Sequence, residues 1–157
     1  KAIHEITPYW IWGRILAGQY TLIYANVSHN DPTLPAVLPL YIAKGDQMIA
    51  GVNGVTIRQR NFVTHPERKR YYPQNVDIDY AGDGVEAHIR IRHKALVEDR
   101  DLIAEAGLNP FKQWIARTFI ARPAYFRIIA DYEGTIVEGG VTTPVKGECL
   151  YEIMGLM

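Results

Sequence analysis

The sequence predicts an all-β protein whose strands form an antiparallel barrel. Apolar and polar residues alternate along most of the chain, and turn residues recur roughly every 8 to 12 positions. Several predicted strands, such as Gln19–Ser28, are apolar on both faces. A strand of that kind needs cover outside and an apolar core or cavity inside, which a closed barrel provides. We count about nine strands, and a barrel of about eight is wide enough for one small ligand.

The composition fits a single domain that spans residues 1–157. Hydrophobic residues make up 48% of the chain and charged residues 22%, which excludes a disordered chain. The 17 Lys and Arg balance 17 Asp and Glu, and this net charge of zero argues against nucleic acid or an anionic membrane as a partner. Cys149 is the single cysteine, so the chain has no internal disulfide and no thiolate zinc site. Tyrosine stands out, with 10 copies.

Turn residues divide the first half of the chain into five strands. Gly18 joins the first two strands, prolines interrupt the third segment, and Lys44–Asp46 forms a turn before the fourth strand. Asn53-Gly54 is a strong hairpin signal, which predicts that the fourth and fifth strands pair. The predicted strands are Tyr9–Ala17, Gln19–Ser28, a segment within 33–43, Gln47–Gly51 and Val55–Thr64.

A hairpin with one charged face follows. Val76–Tyr80 and Val85–Lys94 alternate regularly, and Ala81–Gly84 forms the turn between them. Asp77 and Asp79 share one face of the first strand, and a row of cationic residues shares the matching face of the second. Cross-strand pairs of opposite charge predict surface pairs on a solvated face, and the apolar residues predict a buried face.

One or two short helices are predicted near residues 99–119. Asp99–Ala106 has helical composition and stops at Gly107, and Asn109-Pro110 starts a second helix over Phe111–Phe119. One stripe of the second helix is formed by Phe111, Trp114, Ile115 and Thr118. The remaining strands are Ala124–Tyr132, Thr135–Glu138 and Lys146–Leu156, separated by Glu133-Gly134 and Gly139-Gly140.

The sequence lacks the common catalytic signatures, and it predicts neither a metal nor a cofactor. Ser28 is the only serine and stands in no nucleophile motif. Cys149 lies in an apolar strand, where a buried thiol is inert. The five histidines lack metal-ligand spacing. His93 falls on the apolar face of its strand and is therefore a candidate pocket residue.

Glu152 is the most unusual acid, because the residues around it, Cys149 to Met154, are otherwise apolar. A buried carboxyl group must be paired, hydrogen-bonded or protonated. Two interpretations are open. Either Glu152 makes a structural contact with Arg14 because the last strand pairs with the first, or it is a protonated acid that faces a ligand.

Aromatic and amide side chains supply the other candidate binding residues. Trp10 and Trp12 share one strand face. That face either has a structural role, as part of the core or of an interface, or lines an apolar binding slot. Gln59 and Asn61 are neutral amides on the presumed inner face, where they satisfy backbone groups or bind a ligand carbonyl. The tyrosines assigned to the pocket lining are Tyr80 and Tyr132.

Both ends of the chain resemble a known family. Tyr9–Arg14 followed by Gly18–Tyr24 resembles the start of the C-terminal lipocalin-like barrel of the hydroxyneurosporene synthase (carotenoid hydratase) superfamily, which includes the fungal decalin-forming Diels–Alderases. Tyr125–Arg127 and Gly147–Glu152 are similar to the final strands of that barrel, where an aromatic-Glu pair follows a glycine. The resemblance implies a lipocalin-like barrel that stands alone or forms the C-terminal half of a two-domain protein.

The resemblance also implies a function. Family members bind apolar polyenes or polyketides, the cyclases use no cofactor, and Trp12, Tyr24 and Glu152 match positions with a pocket role. We therefore expect a cofactor-free cyclase similar to the Diels–Alderases, with Tyr24 and Glu152 as catalytic residues. Hydration of an isoprenoid alkene and non-catalytic carriage of a lipid or isoprenoid are the alternatives. No segment resembles a membrane span or a signal peptide, so a cytoplasmic protein is expected.

Overall fold

The structure is all-β with two short helices, as predicted. The computed structural model describes residues 7–31, 33–51, 54–119 and 123–156. Its strands are β1 (Tyr9–Ala17), β2 (Tyr20–Val27), β3 (Leu40–Lys44), β4 (Gln47–Gly51), β5 (Val55–Thr64), β6 (Tyr71–Gly82), β7 (Val85–Asp101), β8 (Ala124–Glu138) and β9 (Val141–Gly155). The helices between β7 and β8 are α1 (Leu102–Glu105) and α2 (Pro110–Phe119).

The nine strands belong to one antiparallel sheet. Its order is β4-β3-β2-β1-β9-β8-β7-β6-β5. β1 therefore pairs with β2 on one side and with β9 on the other, so the last strand of the chain closes onto the first. This pairing places both ends of the sequence, which carry the family resemblance, side by side in the middle of the sheet.

The two edges of this sheet come together, which gives the molecule its barrel-like form. β4 is one edge and β5 the other, yet only residues 52–54 connect them. Gly51 and Val55 therefore lie at most about 15 Å apart. The order of the sheet also makes β4 and β5 run in the same direction. The hairpin predicted at Asn53-Gly54 is wrong for this reason, because hairpin strands must be antiparallel; Asn53 itself lies outside the described residues.

The two ends of the barrel differ in the length of their connections. Tight turns with residues of positive φ lie at one end, which we call the turn end: residues 18–19, 45–46, 83–84 and 139–140. Three longer connections lie at the opposite end, which we call the loop end: residues 28–39, 65–70 and 102–123. Both helices therefore belong to the loop end.

Side chains alternate between a packed interior and the outer surface. In β1, Ile11 and Ile15 are fully buried, whereas Trp12 and Leu16 point outward and are 41% and 59% exposed. The interior is rich in isoleucine and tyrosine, and its buried tyrosines are Tyr20, Tyr24, Tyr80, Tyr132 and Tyr151. Burial of apolar surface stabilises by roughly 25 cal/mol per Å², so this interior is the main source of folding free energy.

Several element boundaries differ from the predicted ones, and β6 for example starts at Tyr71 and not at Val76. β8 runs through Glu133-Gly134 without a turn and stays paired with β7 and β9 there. Gly134 lies so close to the His88 carbonyl of β7 that a Cβ would overlap it, which accounts for the glycine. β9 starts earlier than predicted, at Val141. β7 continues to Asp101, whose carboxylate accepts two amide hydrogen bonds at 3.0 Å from the first turn of α1. This N-cap makes α1 shorter than the predicted helix Asp99–Ala106.

The charged face predicted for the β6–β7 hairpin is present and extends onto β5. Asp77 accepts hydrogen bonds from Arg60 of β5 and from Arg92 of β7, the second at 2.8 Å. Asp79 lies 2.9 Å from the His88 ring across the hairpin. Asp77 is only 1% exposed, so the expectation of a weak surface pair is wrong for this residue.

Candidate functional site

Polar side chains from six strands meet in the loop-end half of the interior. We call this group the interior polar cluster: Tyr9, Tyr24, Gln59, Tyr72, His93 and Tyr151. Most of the barrel interior is apolar, so a concentration of hydroxyl, amide and imidazole groups there calls for a chemical explanation.

Tyr24 carries an unsatisfied hydroxyl group. Its side chain is 1% exposed, and the hydroxyl has no hydrogen-bond partner among the described residues. Gly13 makes room for the ring, because a Cβ at this position would overlap the hydroxyl. Burial raises the pKa of Tyr24 well above its usual value, and the neighbouring Cys149 and Tyr151 raise it further. Tyr24 is therefore a neutral phenol at physiological pH, with a hydroxyl free to bond a ligand.

Tyr151 lies beside Tyr24 and crosses the interior. Gly13 pairs with Tyr24 on one side and with Tyr151 on the other. The Tyr151 hydroxyl donates to the Pro73 carbonyl of β6 at 2.7 Å, which ties together strands that are not neighbours in the sheet. Burial raises the pKa of Tyr151 as well, so this phenol is also neutral.

His93 supplies the second unsatisfied group. Its ring stacks on Tyr72 with 5.8 Å between ring centroids, and Tyr72 also packs against Phe126. The Nε2 atom of His93 is buried and has no hydrogen-bond partner among the described residues. An imidazole nitrogen donates or accepts according to the tautomer, so His93 can meet either kind of ligand group.

Aromatic side chains cover the cluster on the side of the loop end. The Tyr9 hydroxyl donates to Gln59 Oε1 at 2.7 Å, which shows that Gln59 faces the interior. The Tyr9 ring stacks on Tyr71 at 5.9 Å, and Phe62 meets Tyr71 edge-on at 5.5 Å. Phe62 and Tyr71 are both about half exposed, so this pair lies between Tyr9 and solvent.

The tyrosines in the other half of the interior use their hydroxyl groups within the protein. Tyr80 donates to the carboxylate of Asp83 at 3.0 Å. Tyr132 donates to the Leu16 carbonyl at 2.7 Å. Both were predicted to line a pocket, and both are buried, but they lie toward the turn end with their hydrogen bonds satisfied.

Glu152 and the two tryptophans lie on the outer face of the sheet. Glu152 is opposite Trp12 in the β1–β9 ladder, and Trp10 is half-buried on the same face. Arg127 Nε donates to Glu152 Oε1 at 3.0 Å. The structural ion pair considered for Glu152 thus has Arg127 as its partner and not Arg14. The sheet itself separates Glu152 from the interior polar cluster.

The structure brings three of the predicted site residues together: Tyr24, Gln59 and His93. Asn61 does not join them. It is exposed and adopts a φ of 55° within β5, so the alternation that places Gln59 inside does not extend to Asn61.

The sequence reasoning missed half of the interior polar cluster. Tyr9 stands two residues before Ile11, and Tyr151 two residues before Ile153, so strand alternation places both on the interior face. That signal was available from sequence. For Tyr72 no alternation signal was available, because the strand predicted for this region starts only at Val76.

Three pockets with described linings lie outside the interior. A groove of about 350 Å³ follows the outer face of β1, β9 and β8, with Arg14 and Glu148 at its sides and Leu150 in its lining. A second pocket of about 580 Å³ is lined by Arg90 and Lys146 among other charged residues. A third, of about 450 Å³, lies beside the β1–β2 turn.

The described residues also lack two other kinds of feature, a membrane-spanning helix and a cluster of metal ligands. Their helices are all too short or too polar to cross a membrane. Their histidine, cysteine and acidic side chains form no group of three that could hold a metal ion.

Comparison with known proteins identifies the fold but not a sequence family. No protein-family model matches the chain, and no curated protein matches its sequence. Kievitone hydratase from Nectria haematococca superposes with a TM-score of 0.63 and 11% identity over 95% of this chain and 40% of that protein. CghA, a Diels–Alderase, gives 0.63 and 9% identity over 99% and 42%. An ATTH protein from Nitrosomonas europaea gives 0.57 and 11% identity over 98% and 40%.

These likenesses define the protein as a lipocalin-like barrel, which is the fold expected from the motifs at the two ends of the chain. At 9 to 11% identity they show the fold alone. The chain spans about two fifths of the length of each of these solved proteins.

Proposed function

We propose that this barrel binds a neutral, largely apolar small molecule in the loop-end half of its interior and promotes its cyclisation without a cofactor. The observation that supports this most is the pair of buried, unsatisfied polar atoms, Tyr24 Oη and His93 Nε2. A buried polar atom without a partner costs roughly 1–3 kcal/mol, and a ligand oxygen would remove that cost at both positions. Tyr24 retains here the catalytic role expected from the sequence, and Gln59 and His93 retain the ligand-binding roles.

The chemistry that fits these groups is positioning combined with hydrogen bonding. The neutral Tyr24 phenol donates a hydrogen bond to a substrate carbonyl and keeps its proton, because burial raises its pKa. Such a hydrogen bond stabilises negative charge that develops on the carbonyl oxygen in the transition state. Holding a flexible polyene in the reactive conformation supplies more, because intramolecular alignment is worth up to about 7–11 kcal/mol.

Alkene hydration is the second candidate, favoured by the likeness to kievitone hydratase. Protonation of carbon requires a strong acid near the double bond. None of the six cluster side chains is a carboxylic acid, and Glu152 pairs with Arg127 on the other side of the sheet. Hydration at Glu152 would therefore use the outer face beside Trp12; the groove of about 350 Å³ on that face is lined by the neighbouring Arg14 and Leu150 and not by Glu152.

Entry to the interior would proceed through the loop end. Tyr9 and Tyr71 stack over the cluster there, and Tyr71 is 55% exposed. Rotation of these two rings would open the interior without breaking a ladder of the sheet. The hydrogen bond from Tyr9 to Gln59 would break in the same step and leave Gln59 available to the ligand.

The proposal is tested by the molecule that the barrel retains and by what it does to a model substrate. Mass spectrometry of organic extracts of the purified protein should detect a polyene or polyketide; a mixture of ordinary fatty acids would indicate a carrier. Incubation with a linear polyene that bears a conjugated carbonyl should give an isomer of unchanged mass. A product heavier by one water, labelled from heavy-oxygen water, would indicate hydration instead.

Variants distinguish a reaction at the interior polar cluster from a reaction at Glu152 on the outer face. Tyr24→Phe should slow cyclisation, whereas Tyr80→Phe, which removes a hydroxyl already bonded to Asp83, should leave the rate unchanged. Glu152→Gln should leave cyclisation unchanged but abolish hydration. Equal rates for the wild type and Tyr24→Phe would remove Tyr24 from the site.

A further inference from the structure

The interior polar cluster consists of four phenols, one amide and one imidazole, and these groups differ in how they handle protons. An amide does not ionise, and a phenol holds its proton at neutral pH. Burial strengthens that hold for Tyr9, Tyr24 and Tyr151, because it raises the pKa of each. Imidazole is the one of the three groups that takes up and releases a proton near neutral pH. Within the cluster, proton transfer therefore falls to His93.

The backbone and a ring contact hold His93 in a defined position. Its ring stacks on Tyr72 with 23° between the ring planes. The pairing of β7 with β8 shifts directly after His93, between His93 and Ala95, so that Lys94 is an extra residue and lies exposed. Bulges of this kind redirect side chains and are frequent beside active sites. The Nε2 atom of His93 is thus held in the interior, where it has no partner among the described residues.

Two other histidines lie near His93 along the fold, and the protein uses the nitrogens of both. His65 Nδ1 accepts a backbone amide N–H at 3.2 Å, and its Nε2 lies 3.7 Å from the carboxylate of Asp99. His88 lies on the outer face of β7, with Nδ1 2.9 Å from the carboxylate of Asp79. These contacts give His65 and His88 structural roles, whereas the buried nitrogen of His93 is available to a ligand.

Tyr24 and His93 face the interior from opposite walls of the barrel. Along the sheet order, β1, β9 and β8 separate β2 from β7 on one side, and β3 to β6 separate them on the other. Tyr151 lies beside Tyr24 and reaches across the interior to the carbonyl of Pro73, which follows Tyr72 in the chain. A molecule held in this half of the interior therefore meets a hydrogen-bond donor on one wall and a base on the other.

We infer that His93 is the general base of this site and that the substrate is a conjugated carbonyl compound with hydrogen on the saturated carbon at the far end of the conjugation. The inference rests on the proposed function, since Tyr24 must hold the carbonyl oxygen. His93 Nε2 takes the proton from that carbon, and the electron pair of the broken C–H bond forms a new C=C bond. The double bonds move along the chain, and negative charge arrives on the oxygen bonded to Tyr24.

The same imidazole completes the cycle. The protonated ring returns its proton to the carbon beside the carbonyl, which restores neutral His93 and leaves an isomer whose double bonds are placed for ring closure. No oxidant, reductant or co-reactant is needed. A C–H bond of this kind is a weak acid, so the base and the oxygen-binding donor must act on one molecule. General bases typically contribute about hundredfold to ten-thousandfold, and one donor to a developing oxyanion about hundredfold to thousandfold.

Pseudoionone, a linear polyene ketone, tests the proton transfer when it is deuterated at the saturated carbons next to its conjugated double bonds. The wild-type protein should remove deuterium from these carbons, either to water or to the carbon beside the carbonyl, and NMR of recovered substrate and product locates the label. His93→Gln should slow this loss at least about hundredfold, and Tyr24→Phe should slow it as well. His88→Gln is the matched control on the outer face of the same strand and should behave as the wild type.

The outcomes separate the inference from the proposed cyclisation. A cyclised product that retains all its deuterium would overturn the role of His93 and leave cyclisation intact. Loss of deuterium without a cyclised product would support His93 as the base and contradict cyclisation. Retention of all deuterium in recovered substrate, or equal loss with the wild type and His93→Gln, would overturn the inference. Circular dichroism shows whether His93→Gln folds; if it does not, an unchanged rate of deuterium loss in Tyr24→Phe would overturn the inference, and a slower one would support it.

Discussion

Tyr24→Phe is the most informative perturbation of the interior, because the hydroxyl it removes has no partner among the described residues. In most proteins the loss of a buried tyrosine hydroxyl breaks a hydrogen bond and destabilises the fold by about 1 kcal/mol. Here the same substitution removes a buried hydroxyl group without a hydrogen-bond partner, whose burial destabilises the fold by about 1–3 kcal/mol. The unliganded protein should therefore become more stable.

The size of the effect follows from the length of the chain. A gain of 1 kcal/mol raises the Tm by about 2–4 °C for a domain of this size. The same substitution should weaken the binding of a ligand that bonds to Tyr24 by about two- to twelvefold, because one hydrogen bond is worth about 0.5–1.5 kcal/mol. Stability and binding are thus expected to change in opposite directions, which a merely structural role would not produce.

Thermal unfolding followed by circular dichroism measures the first effect, and fluorescence titration with the polyene cis-parinaric acid measures the second. Tyr132→Phe is the matched control, because its hydroxyl is bonded to the Leu16 carbonyl at 2.7 Å. That variant should lose about 1 kcal/mol of stability and keep its affinity for the probe. If Tyr24→Phe were destabilised as much as Tyr132→Phe, the Tyr24 hydroxyl would have a partner and the reasoning would be refuted.

Four other perturbations test single features of the structure. Gly13→Ala should destabilise by about 1–3 kcal/mol in urea unfolding, since its Cβ would overlap Tyr24; unchanged stability would mean that the ring moves freely. Asp77→Ala should cost about 1 kcal/mol, because the buried carboxylate loses its hydrogen bonds with Arg60 and Arg92, whose side chains are 56% and 41% exposed and return to water; an unchanged free energy of unfolding would contradict a stabilising role for these bonds. Glu152→Gln should cost less than about 1 kcal/mol and leave binding of cis-parinaric acid unchanged, whereas weaker binding would place the probe on the outer face. Burial raises the pKa of Cys149 from 9.0 to about 12, so between those pH values the unfolded chain releases a proton that the native protein keeps. Stability should therefore fall as pH rises through this window, and less steeply in Cys149→Ala; identical slopes would exclude the thiol.

The sequence was sufficient for the fold class because the alternation of apolar residues is local. Strand β1 shows this well, since Ile11 and Ile15 are buried and Trp12 is not. The closure of the barrel was not predictable in the same way. Asn53-Gly54 is a hairpin signal by its local chemistry, but the pairing partner of each strand depends on the whole sheet, and here the strands on either side lie at opposite edges.

The candidate site was predictable only in part, for a reason of strand geometry. A strand that is apolar on both faces does not show which face is inside. Trp12 and Glu152 were expected in the pocket because of the family resemblance and, for Glu152, because its neighbours are apolar, but the structure places both on the outer face. Tyr24 and Gln59 follow the interior alternation of their strands, and the structure places both inside.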